Sequence, residues 1–319
     1  MRQVVVSAFA ATCLAAMVST AVNAGVVRAN DDELVPTGKG WGERPAPGPG
    51  PGEGAGQGQG QPQGNGKPTR QGSNGISYHG GPVMTNGSNV YYIWYGNWSG
   101  NTATTILADL ASSMGGSPYF NINTTYTNGL SQRVLNQVTF SASTTDSYSQ
   151  GNNLSDAGVQ AVVSSAISSG RLPKDSNGVY FVLTSSDVNE TSGFCTQYCG
   201  WHTHGSIGGT DIKYSFVGNP DRCPSACAAQ TTGPNGNAGS DGMASIIAHE
   251  LEEATTDPDL NAWYDTRGQE NADKCAWTFG ATYTASNGAQ ANMKLGTRDY
   301  LIQQNWVNAS GGYCAKQYP

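Results

Sequence analysis

Charge is scarce in this chain: of 319 residues only 12% are Asp, Glu, Lys or Arg, and 4 are His. The 16 basic residues face 23 acidic ones, a formal net charge of −7, so the basic footprint of a nucleic-acid binder is missing. No apolar run reaches the ~18 residues of a membrane-spanning helix. Neither a G-x-S-x-G nucleophile elbow nor a phosphate-binding P-loop is present. In so sparsely ionised a chain, any place where carboxylates and imidazoles gather stands out.

Glycine and proline are abundant instead, 43 and 15 residues. From Pro45 to Gly75 the text is Pro, Gly and Gln with almost nothing apolar, so that segment cannot bury enough surface to offset the entropy of ordering. Glycine recurs every second residue there, which excludes the three-residue period of collagen. Ahead of it, Arg2, an apolar run from Val4 to Val18 and the small-residue site Val22-Asn23-Ala24 have the form of a secretory signal peptide. The expected organisation is a signal peptide over 1–24, an unstructured tether over 25–75 and one folded domain over 76–319.

Cysteine agrees with export. Cys13 leaves with the signal, and Cys195, Cys199, Cys223, Cys227, Cys275 and Cys314 remain, all in the C-terminal part. In an oxidising compartment six thiols imply up to three disulfides, and the sequence leaves the pairing open. Cys195/Cys199 and Cys223/Cys227 also have the C-x3-C spacing of a zinc knuckle. N-x-[ST] sequons at Asn86, Asn97, Asn123, Asn153, Asn189 and Asn308 are glycan acceptors if the host glycosylates. Trp94, Trp98, Trp201, Trp263, Trp277 and Trp306 are candidates for stacking on sugars or for the core.

The folded part alternates. Strands are expected over Asn89–Tyr95, Val138–Thr144, Gly178–Thr184 and Ile212–Val217, from their β-branched and aromatic runs. Helices are expected over Thr102–Met114, after the Ser155 cap with Val159, Val162, Val163 and Ile167 on one face, and from Asp241 to about Thr255. The fold class is therefore α/β (α+β), a mixed β-sheet with packed helices and a disulfide-stapled C-terminal part.

The third helix carries the chemistry. His249 and Glu253 stand at i and i+4, one turn apart on one face, where a single metal ion can touch both. Glu250 turns toward the apolar flank near Met243 and Ile246, a costly place for a carboxylate without a partner or a task. It occupies the position of the water-activating base in H-E-x-x-H enzymes, although the fifth residue here is Glu rather than His. Downstream, Asp257, Asp259, Glu270 and Asp273 form a dense acidic run. Glu270 and Asp257 are the expected completing ligands, with Asp273, His202 and His204 as accessory candidates. Zn2+ fits this set, Ca2+ competes for so many carboxylates, and a plain acidic surface loop is the third explanation.

Several blocks resemble the EXORDIUM/phosphate-induced protein 1 family: Tyr78-His-Gly-Gly-Pro-Val-Met84, Val90 to Trp98, Gly178 to Val188, Phe194 to His202, Phe216-Val-Gly-Asn219, Cys223 to Cys227, Asp241-Gly-Met243 and Asn261-Ala-Trp-Tyr264. The resemblance implies a protein secreted to the extracellular matrix or cell wall, associated in plants with growth and brassinosteroid responses. With the His249 helix, the expectation is a zincin-like core and a zinc-dependent, peptidase-like hydrolase acting on an extracellular peptide or cell-wall component. The alternative is a non-catalytic apoplastic signalling or glycan-binding protein. Neither nucleic acid nor a membrane span is expected.

Overall fold

A computed structural model describes residues 27–30, 33–39 and 75–319. The signal peptide read over 1–24 lies outside the described residues, as does most of the tether. Among the described residues no helix is long and apolar enough to cross a membrane.

Five strands make the main sheet: β1 (Ser88–Tyr95), β2 (Val138–Asp146), β3 (Gly178–Thr184), β4 (Gly200–Ile207) and β5 (Thr210–Val217). Their order is β2-β1-β3-β5-β4. The first four run parallel, and β4 closes one edge antiparallel to β5. All seven residues of β3 are buried, as a continuous apolar run requires of a strand covered on both faces. β4 escapes sequence reading, because its glycines and histidines carry no strand pattern; its pairing with β5, Ser215 opposite His202, makes it a strand.

Three helices pack on this sheet: α1 (Ala103–Met114), α2 (Asp156–Ser168) and α3 (Ala238–Thr256). Ile106, Leu107, Leu110 and Met114 of α1 are buried as their spacing predicts. The Ser155 side chain accepts from the Gly158 N–H at 3.1 Å and caps α2. α3 starts earlier than expected. Asn237 caps it by accepting from the Ser240 N–H, while the Asp241 carboxylate is held by Asn235. The helix ends where Pro258 forces the preceding Asp257 out of helical conformation.

α3 touches α1, β4, β5 and the C-terminal tail, so it is buried nearly all round. An amphipathic surface helix would turn its carboxylates to water. Here Glu250, Glu252 and Glu253 have 0%, 0% and 1% exposure.

Part of the segment expected to be unstructured is ordered. Val35–Lys39 lies along the outer edge of β4, where the His202 N–H donates to the Gly38 carbonyl at 3.2 Å. Lys39 anchors the strap: its ammonium donates to Asp156 at 2.6 Å and stands over the Trp201 ring at 5.1 Å. Gly38 has φ +70°, and an added Cβ would collide with the His202 carbonyl, so only glycine passes here.

Candidate metal centre

Two triads of buried side chains meet on α3. In the first, His249 Nε2 lies 3.0 Å from Glu253 Oε1 and 3.7 Å from Asp273 Oδ1. In the second, His202 Nε2 lies 3.2 Å from each oxygen of Glu270 and 3.7 Å from Glu253 Oε2. Within each triad the donor atoms all fall within 4.8 Å of one another. Ligands at about 2.0–2.1 Å from zinc in a tetrahedron stand about 3.3–3.4 Å apart, and these spacings bracket that value.

The pieces come from three places. His249, Glu250 and Glu253 ride on α3, and His202 on β4. Glu270 and Asp273 come from the loop leading into a 3-10 turn over Asp273–Cys275. That turn is pinned twice. The Asp273 N–H donates to Glu253 Oε1 at 3.0 Å, and Cys275 is bonded to Cys314.

Many polar atoms here are buried without a hydrogen-bond partner: both oxygens of Glu250, both ring nitrogens of His249, Asp273 Oδ1 and Asp257 Oδ2. His249 Nε2 is close to Glu253 yet off the hydrogen-bond axis. A buried, unpaired polar atom costs about 1–3 kcal/mol, so a cluster of them calls for a partner. Two imidazoles among the donors suit zinc or a similar transition ion better than calcium, which takes oxygen alone.

Electrostatics points the same way. Burial, then Glu253, Asp257, Asp273 and Glu250, hold the Glu270 carboxyl well above the usual carboxylate range. Burial likewise raises Glu250, reinforced by Glu253 and Asp273 and opposed by His249. Burial pushes His202 down to about 4, which leaves it a neutral imidazole fit to ligate. For His249 burial works downward, but Glu253, Asp273 and Glu250 outweigh it and raise its pKa well above the ordinary value.

The remaining sequence candidates go elsewhere. Asp257 Oδ1 accepts from the N–H groups of Asn261 and Ala262, both at 2.6 Å, so it ties the turn after α3 and joins neither triad. Asp259 faces His204 at 3.5 Å and Lys213 at 3.2 Å. His204 and Asp211 complete that group, but the Lys213 ammonium already supplies its cation. Glu252, unremarked in the sequence, turns to the other side of α3 and accepts from Asn305 at 2.5 Å. Gly200 leaves room for Glu250: a Cβ there would stand 3.2 Å from Glu250 Oε1 and 2.5 Å from Ile246 Cγ2.

All six C-terminal thiols are spent in disulfides: Cys195–Cys223, Cys199–Cys227 and Cys275–Cys314. The C-x3-C pairs therefore form no zinc knuckle. Asn86, Asn97 and Asn153 are exposed, and Asn189 and Asn308 half-buried. Asn123 is the exception to the sequon reading: it is 0% exposed and its Oδ1 accepts from Asn271 and Asn305, so no glycan fits. Trp94, Trp98 and Trp201 are core residues, unavailable to sugars.

Opening the Cys275–Cys314 bridge in a double Cys→Ala variant is expected to cost about 2–5 kcal/mol of stability. Because the bridge holds the turn that carries Asp273, any affinity of this candidate centre for zinc should fall about 10–100-fold as well. Competition titration against a zinc chelator measures this; unchanged affinity would disconnect the bridge from the centre.

Residues 76–304 match the family described as phosphate-induced protein 1 conserved region. The chain is 33% identical to Protein EXORDIUM-like 3 of Arabidopsis thaliana, across 75% of this chain and 82% of the relative. It is 33% identical to Protein EXORDIUM-like 5 of the same plant, across 72% and 75%. Protein PHOSPHATE-INDUCED 1 of Nicotiana tabacum is 26% identical, across 59% and 67%. No solved structure matches the chain.

Proposed function

The chain belongs to the phosphate-induced protein 1 family, and on that premise we propose that it is an extracellular EXORDIUM-like protein with a zincin-like, metal-dependent hydrolase centre whose substrate is an extracellular peptide. The observation that carries the reading is the buried triad of His249, Glu253 and Asp273, with inward atoms that lack partners. Three disulfides fit an oxidising, extracellular setting.

His249, Glu253 and Asp273 would hold a divalent ion, zinc by the nitrogen-and-oxygen donor set. Such an ion would supply Lewis-acid polarisation and lower the pKa of a water beside it to about 7. Glu250 would be the general base: burial makes its carboxylate more basic, so it would take a proton from the attacking water and return it to the leaving amine. Gly200 gives Glu250 the space, and α3 sets it one residue from a ligand.

As it stands the centre is closed, with Glu250 at 0% and His249 at 1% exposure. The strap Val35–Lys39 occupies the edge of β4 beside His202, the place where an extended peptide would add as a strand. Access would follow its release. The same closure favours a second reading, a non-catalytic extracellular or cell-wall protein of signalling type, in which the metal only ties α3 to the 270–275 loop.

Casein hydrolysis by the zinc-loaded chain separates the two, with His249→Ala as the blank. Gly38→Val pushes the strap off β4 and is expected to raise turnover by about tenfold or more; His249→Ala should show none. Zinc-loaded wild type and Gly38→Val that both leave casein intact would retire the hydrolase and leave the second reading.

A further inference from the structure

We propose that the centre is dinuclear: a second divalent transition ion is held by His202, Glu270 and Glu253 Oε2, with Glu253 bridging it to the ion at His249 and Asp273. The inference rests on the metal reading above and adds a site to it.

The geometry of Glu253 carries the argument. Its two oxygens are divided, Oε1 toward His249 at 3.0 Å and Oε2 toward His202 at 3.7 Å. Each side then has one imidazole and one further carboxylate, Asp273 at 3.7 Å from His249 and Glu270 at 3.2 Å from His202. Both triads are complete with Glu253 counted in each. A carboxylate that offers one oxygen to each of two ions holds them about 3.5–4 Å apart, the separation of two-metal hydrolytic sites.

Charge supports the number. Glu250, Glu253, Asp257, Glu270 and Asp273 are five carboxylates, each at most 5% exposed. Among the described ion pairs they meet only His202 and His249, never a lysine or arginine. Divalent ions would hold these buried carboxyls in the ionised form that burial opposes, and each triad brings its own, Asp273 beside one imidazole and Glu270 beside the other. Glu250, with both oxygens unpartnered, stands beside the pair rather than in either triad.

The test is the metal count. The full chain is loaded with zinc, desalted and analysed for ions per chain. Wild type is expected to hold two, and His202→Ala and His249→Ala one each. Glu270→Gln preserves volume and serves where His202→Ala fails to fold; it should also hold one. Loading with Mn2+ gives a second readout, a spin-coupled pair in wild type that becomes an isolated-ion spectrum in His202→Ala and in Glu270→Gln. One zinc in wild type, lost in His249→Ala but kept in His202→Ala, overturns the second site and leaves the hydrolase reading standing. Two ions that both survive His202→Ala and Glu270→Gln overturn the assignment of ligands. No zinc in wild type removes this inference and the metal reading together.

Discussion

Removing the proposed divalent ion from the folded chain is expected to lower its melting temperature by about 10 °C. An ion present at a thousand times its dissociation constant stabilises the fold by about 4 kcal/mol. For a folded unit of this size each kcal/mol shifts the midpoint by about 2–4 °C. The group left behind adds to the loss, because Glu253, Glu270 and Asp273 are buried with two imidazoles as their ion-pair partners. Scanning calorimetry with and without chelator, followed by zinc readdition, measures the shift. The sign of one variant sharpens it. In the metal-free chain Glu270→Gln should raise the midpoint: burial and the neighbouring carboxylates raise this carboxyl's pKa in the folded state, which costs stability above the unfolded pKa, and the neutral amide carries no such cost. With zinc present the same variant should lower it, since it removes a ligand. An identical effect in both states would mean that Glu270 has no part in holding metal.

Glu250→Gln is expected to cut the proposed peptide hydrolysis by about 10²–10⁴-fold while leaving the proposed metal count unchanged. The amide has the volume of the carboxylate, so the space beside Gly200 stays filled, but it cannot accept the proton. Glu250 has no hydrogen-bond partner to lose, so the folded state should not weaken. The measurement is kcat together with elemental analysis on the same preparation. Unchanged kcat would remove Glu250 from the chemistry, and lost metal would make it a ligand instead. A purely structural carboxylate would move the melting temperature and leave the casein rate alone.

The strands and helices were mostly legible because each is dictated by neighbours. Gly178–Thr184 reads as a buried strand from its own apolar run, and α2 from a Ser cap with valines at helical spacing. β4 was not, since a strand rich in Gly and His exists only through its partner β5. The strap at Val35–Lys39 was missed for a similar reason. Its order comes from Trp201, Asp156 and the β4 edge, all distant in sequence.

At the centre the division is equally physical. The sequence alone determined that His249 and Glu253 share a helix face with Glu250 beside them, because 3.6 residues per turn leaves no choice at i, i+1 and i+4. It also determined a dense carboxylate run ahead of Cys275. Which carboxylate meets which histidine was decided by tertiary structure. Asp273 reaches His249, Glu270 turns to His202, Asp257 closes a backbone turn and Asp259 pairs with Lys213. Those outcomes depend on how the loop after α3 folds back and where the Cys275–Cys314 bridge holds it. Spacing along a loop places no side chain in space, whereas spacing along a helix does.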